Sequence, residues 1–163
     1  MLFWDTSALV KAYSTEPGTP CVLGAIQATR GGGSALTELV VLEVLTALAK
    51  HCRAKNLTKQ AYRSAINELT RDYSVAFEVV EVDGPIRQHA FELARRYRAA
   101  ALGAMDLLHL ATALGAERVR PHEPLVFATS DAPLQSAAAA EGLRTFNPET
   151  DSLSKLLRLL SGR

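Results

Sequence analysis

Cysteine is nearly absent: Cys21 and Cys52 are the only two in 163 residues, and neither belongs to a CxxC or Cys/His spacing. That excludes a disulfide framework and a thiolate zinc site, and it fits a reducing compartment. Net charge is also scarce, at +1, so bulk electrostatics neither demand nor forbid a polyanionic partner. No apolar run approaches the roughly 20 residues that a membrane span requires. The opening MLFWDTSALVKAY has no basic leader and places Asp5 where a secretory core would be apolar. No glycine-rich phosphate loop follows the first apolar run, which argues against a nucleotide cofactor. From these absences a soluble, cytoplasmic protein is expected, with no membrane association.

What is present is ordinary globular composition: 48% hydrophobic and 21% charged residues. The length fits one domain able to bury its own core. Short apolar runs that read as strands are Leu2–Trp4, Ser34–Leu36, Phe77–Val82, Pro124–Thr129 and Leu143–Phe146. Helices are expected from Thr6 towards Tyr13, then over Cys21–Ala28, Thr37–Arg53, Lys59–Tyr73, Ile86–Ala101, Met105–Gly115, Ala132–Glu141 and Ser152–Leu160. Thr37–Arg53 reads as apolar over much of its circumference, which implies burial. Strands alternating with helices imply an α/β three-layer sandwich, a central parallel sheet flanked by helices.

Two strands end alike: LFW runs into Asp5-Thr6-Ser7, and LVFAT into Ser130-Asp131. Ligands of open parallel sheets bind beyond the carboxyl ends of strands. Taken alone, each aspartate reads equally well as a helix N-cap. Glu43 has Leu39, Val40, Thr46 and Ala47 as helical neighbours and no basic residue among them. A carboxylate on such a face needs a partner, a proton or a metal. Glu38 competes with it, about 140° away around the helix and closer to its start. Asp106 opens an apolar helix, where it favours the dipole, and His109 lies one turn on. His109 reads first as a satisfied core group and second as one that orients a carboxylate. Thr6, Ser7 and Thr129 are short polar groups that either cap or hydrogen-bond a carboxylate. One cluster accounts for Asp5, Glu43, Asp106 and Asp131 together, gathered around a hard cation, Mg2+ or Mn2+. An all-carboxylate set points away from zinc and towards phosphodiester hydrolysis. Arg95, Arg96 and Arg98 around Tyr97, and Lys50, Arg53 and Lys55, are two basic groups that read first as solvated faces and second as phosphate contacts.

These residues carry a resemblance. DTSALVK from Asp5, LEVLTALAK around Glu43, MDLLHLATAL around Asp106, LVFATSD ending at Asp131, and GLRTFNP together resemble the PIN-domain proteins of the VapC toxin type. The resemblance covers about 148 residues, with the four acid-bearing motifs in order. It implies a PIN-like fold over 1–148, with the leucine-rich helical tail 149–163 packed on the same domain. It implies a metal-dependent endoribonuclease, the toxin of a type II toxin–antitoxin pair. Asp5 and Asp106 would be direct ligands, with Glu43 and Asp131 completing the site directly or through water. It further implies RNA as substrate, a homodimer and a cognate antitoxin. Two features depart from the family pattern: Ala132-Pro133 follows Asp131 where a basic residue is common, and the tail exceeds the usual core. Other readings of the same residues are a PIN nuclease of RNA processing without a toxin role, a non-catalytic RNA- or protein-binding module, and a phosphoryl-transfer protein.

Overall fold

The computed structural model describes residues 1–162. The element order is β1 (Leu2–Trp4), α1 (Thr6–Leu9, continued by a 3-10 turn over Val10–Ala12), α2 (Thr19–Ala28), β2 (Ser34–Thr37), α3 (Glu38–Arg53), α4 (Lys59–Val75), β3 (Glu78–Val80), α5 (Gly84–Arg96), α6 (Ala104–Val119), β4 (Val126–Ala128), α7 (Ala132–Ala140), β5 (Arg144–Phe146) and α8 (Leu153–Leu160). The five strands form one sheet in the order β3-β2-β1-β4-β5, and every pairing is parallel.

Strand alternation sends successive side chains to opposite faces. Phe3, in register with Ala35 and Phe127, packs with Leu93, Leu107, Leu110 and Leu134, so α5, α6 and α7 cover that face. Phe3 and Phe127 stack with ring centroids 6.2 Å apart. Leu2 and Trp4 point the other way, with Leu36, Val126 and Phe146, into a core closed by α1, α2, α3, α4 and α8. The two cores make the three-layer sandwich. Trp4 is anchored in its layer by Nε1 donating to Ser34 Oγ at 3.1 Å.

Several boundaries move from those expected. α2 takes in Thr19 and Pro20, because proline suits the first helical turn, where its missing N–H is not needed. α5 likewise begins at Gly84 with Asp83 as its cap, and ends at Arg96 rather than Ala101. α6 runs on through Gly115 to Val119, since one glycine in a packed helix costs only about 1 kcal/mol. α3 is less buried than its composition implied: Val40, Val44 and Leu48 form a single inward stripe, and Leu42 is exposed. Among the described residues no helix is long and apolar enough to cross a membrane.

The C-terminal segment is tied to the main body in two ways. Leu156 is fully buried in the core that holds Trp4 and Val22. Lys11, also buried, lies between Glu149 at 2.7 Å and Glu16 at 3.3 Å. A buried ammonium is tolerable only with such partners. Leu156→Ala should therefore destabilise the fold by about 2–5 kcal/mol, the range for deleting a core leucine. Urea denaturation followed by circular dichroism measures this. A change below about 1 kcal/mol would show that α8 contributes no core.

Candidate metal centre

The carboxyl edge of β1 and β4 is where the site is built. Asp5 directly follows β1, and its backbone N–H donates to Ala128 O of β4 at 2.9 Å. Its side chain is almost fully buried and acts as N-cap of α1. Oδ2 accepts from Ser7 N–H (3.1 Å), Ser7 Oγ (2.5 Å) and Thr129 Oγ1 (2.9 Å). The two hydroxyls also reach across the gap between strands. Ser7 Oγ accepts from Ser130 N–H at 2.9 Å, and Thr129 Oγ1 accepts from Asp131 N–H at 3.1 Å. Asp131 then caps α7, with Oδ1 accepting from Leu134 N–H at 2.7 Å.

Glu43 comes from α3 and is held by residues distant in sequence. Its Oε2 accepts from Thr6 Oγ1 at 2.6 Å and from His109 Nε2 at 2.5 Å. His109 is buried, and its Nδ1 lies 2.9 Å from Thr37 Oγ1. Donation from Nε2 to a carboxylate assigns the proton to that nitrogen, so in neutral imidazole Nδ1 accepts from the Thr37 hydroxyl. Burial pushes the Glu43 carboxyl up, but the hydrogen bonds from His109 and Thr6 leave it below its ordinary value. Glu43 is thus an ionised acceptor at neutral pH. Glu38 is placed elsewhere: its Oε1 accepts from Val82 N–H at 3.0 Å, beyond β3.

Asp106 sits in the first turn of α6, where Oδ2 accepts from Gly103 N–H at 2.7 Å. Burial raises its carboxyl above the ordinary value, the Gly103 bond opposes this, and the negative charges of Asp5 and Asp131 raise it further. Asp106 therefore feels both strand-end aspartates.

A common feature unites the four. Each carboxylate has one oxygen fixed by hydrogen bonds, and the other, Oδ1 of Asp5 and Asp106, Oδ2 of Asp131 and Oε1 of Glu43, receives none among the described residues. Capping and ligation are thus not alternatives, because each cap uses a single oxygen. The acids share one edge, yet among the described residues no three His, Cys, Asp or Glu side chains converge tightly enough to form a ready metal cage. The role of His109 in holding Glu43 lay outside its leading sequence reading, since Thr37 and Glu43 are 72 and 66 residues away. Of the two basic groups, one residue is engaged by an acid outside the four. Arg96 pairs with Glu141, its Nη1 lying 2.6 and 2.7 Å from the two carboxylate oxygens.

Comparison with known proteins follows the same line. No curated protein sequence matches the chain. In fold it is similar to FitAcB from Neisseria gonorrhoeae, with a TM-score of 0.66, 18% identity, and 93% of this chain and 100% of that one covered. It is similar to VapC20 from Mycobacterium tuberculosis, described as a sarcin–ricin loop cleaving toxin, with a TM-score of 0.63, 16% identity, and 88% and 96% covered. A toxin–antitoxin complex from Klebsiella pneumoniae contains a chain similar at a TM-score of 0.54 and 17% identity, with 91% and 98% covered. The family model of the PIN domain matches residues 2–138, which takes in all four acids, and the chain belongs to the PIN domain family.

Proposed function

We propose that this protein is a divalent-metal-dependent endoribonuclease acting as the toxin of a toxin–antitoxin pair, with Asp5, Glu43, Asp106 and Asp131 as its active site. The observation that carries the reading is the half-used state of the four carboxylates. Four anionic oxygens without hydrogen bonds share one sheet edge, and they suit a hard cation such as Mg2+ or Mn2+. Such a cation supplies Lewis-acid charge neutralisation at a phosphodiester and activates water for its hydrolysis.

The chain's own groups divide the remaining work. Asp5 and Asp106 would hold the cation directly, while Ser7, Thr129 and Gly103 each fix one of their oxygens. Glu43 and Asp131 accept hydrogen bonds from water at the scissile phosphate. His109 keeps its Nε2 proton on Glu43 Oε2, and Thr6 donates to the same oxygen, so the free oxygen of Glu43 holds one direction. RNA as substrate is supported by the likeness to a toxin described as cleaving the sarcin–ricin loop. An antitoxin partner is supported by the likeness to a chain of a toxin–antitoxin complex. A homodimer completes the proposal.

Incubation with tRNA, rRNA and single-stranded DNA should give RNA cleavage in Mg2+ or Mn2+ that EDTA abolishes. Asp5→Asn or Asp106→Asn should lower the rate by about a hundredfold or more, the scale for losing one preorganised charged contact. Unchanged turnover in Asp106→Asn would remove that residue from the centre.

The same cluster fixes a pH dependence of stability. Because the folded chain holds the Asp106 proton more tightly than the unfolded chain, the protonated carboxyl favours folding at low pH. That contribution is lost as pH rises through the folded-state value, and at pH 7 the ionised group opposes folding. Asparagine keeps an acceptor for Gly103 N–H and removes the charge. In EDTA, Asp106→Asn should melt above the parent at pH 7, and the gap should close towards pH 4. A lower Tm for the variant at pH 7 would mean that the carboxylate stabilises the metal-free fold.

A further inference from the structure

Helices α5 and α6 form an antiparallel hairpin: a methyl group added at Gly115, late in α6, would lie 3.8 Å from Ile86 Cγ1, early in α5. The end of α5 therefore lies beside the start of α6, where Asp106 sits, joined to it by residues 97–103. The inward stripe of α5 is Ile86, Ala90, Leu93 and Tyr97. Phe91 and Arg95 stand off that stripe, about 40° from each other around the helix axis. With Ala94, Arg96 and Arg98 they border an open concavity of about 680 Å³.

Two properties of this surface point to a partner. Phe91 is 61% exposed, whereas Phe3, Phe127 and Phe146 are fully buried. Arg95 and Arg98 have no carboxylate partner and no hydrogen bond among the described residues, in contrast to Arg96, which is directed at Glu141. The helix dipole accounts for cations in the last turn of α5 but not for an exposed aromatic ring beside them. What sets Phe91 apart from the other exposed apolar side chains, Leu23, Leu42, Val75, Val119 and Leu157, is that two unpaired guanidinium groups border the same concavity.

We propose that Phe91, Arg95 and Arg98 form a docking surface for the single-stranded part of the RNA substrate, outside the acidic centre. This rests on the ribonuclease reading. Arg95 and Arg98 contact phosphates, and a base stacks on Phe91, the pairing of cationic groove and aromatic platform by which proteins hold single strands. The position at the Asp106 end of the hairpin extends the path of a strand whose scissile phosphate lies at the acids. The surface supplies positive charge that the near-neutral chain lacks on average, near an acidic centre that by itself repels phosphates.

The test uses the cleavage-deficient Asp106→Asn chain and a labelled, mixed-sequence, single-stranded RNA oligonucleotide, read by fluorescence anisotropy over a salt series. Adding Arg95→Ala and Arg98→Ala should weaken binding and reduce the slope of log affinity against log salt by about 1.4, two phosphate contacts at about 0.7 each for single strands. Adding Phe91→Ala should weaken binding about tenfold, and Phe91→Trp should restore it. Loss of the same two charges from α4, by Lys59→Ala with Arg63→Ala, should change neither affinity nor slope. In the active chain, the patch substitutions should raise KM while kcat holds. Unchanged affinity and slope in the patch variants overturn the proposal. So does a changed molecular mass in light scattering with RNA binding intact, which would make the patch a protein interface. A parent that cuts RNA as well with the patch removed overturns the patch alone. A parent that neither binds nor cuts RNA overturns the ribonuclease reading with it.

Discussion

The pairing of β1 between β2 and β4 is the constraint on which the acidic edge depends. Only three residues of β1 are in register, yet they place the chain directly after Trp4 beside the chain directly after Ala128. Asp5 and Asp131 then face each other from neighbouring loops, and Ser7 and Thr129 bridge the loops by hydrogen bonding both. A shift of one residue in β1 would send Phe3 into the wrong core and move Asp5 off the edge, because the side-chain period of a strand is two. Core packing and placement of the acids are thus one requirement, enforced by the same alternation of Leu2, Phe3 and Trp4.

The cost of gathering like charges is distributed over local structure. Three of the four acids cap or open a helix, and caps are where a carboxylate is least costly, because backbone N–H groups and the helix dipole offset its charge. Each aspartate nevertheless keeps one oxygen outside the cap. Glu43, in the middle of a helix, has no such help, and its support comes from Thr6 and His109 instead. The raised carboxyl of Asp106 marks where the offsetting is incomplete. The rise comes first from burial and then from the negative charges of Asp5 and Asp131.

Most of the architecture was legible in the residues. Five apolar runs gave five strands, and the alternation with helices gave a parallel sheet, because these signals are local. The positions of the acids in the fold were legible too, since Asp5 and Asp131 follow strands and Glu43 lies within a helix. Boundaries were less so: Pro20 and Pro85 look like breakers in the sequence but stand in first turns, where proline is tolerated. The burial of α3 was overstated because composition does not reveal that Leu42 faces out. The partners of Glu43 and His109 were hidden for a different reason. They are set by tertiary contacts spanning 37 to 72 residues, which no helical spacing encodes. The unequal fates of Arg95 and Arg96 were hidden likewise, since Glu141 lies on α7.

The chain Thr37–His109–Glu43–Thr6 shows why those tertiary contacts matter to the site. It runs from the end of β2 through α6 and α3 to α1, so it crosses four elements that meet only in the folded state. Within it, tautomer and direction are coupled. The Thr37 hydroxyl can donate to Nδ1 only if the proton is on Nε2, and Nε2 can hold Glu43 only with that proton. A buried imidazole with both nitrogens satisfied has little freedom to rotate, and it passes that rigidity to the carboxylate. The charged oxygen of Glu43 that remains free is therefore aimed by a threonine at the far end of the chain, which itself never touches the site. Orientation of the one acid without a helix cap is thus set from the sheet, as it is for Asp5 and Asp131. That common origin brings acids from separate segments to one sheet edge.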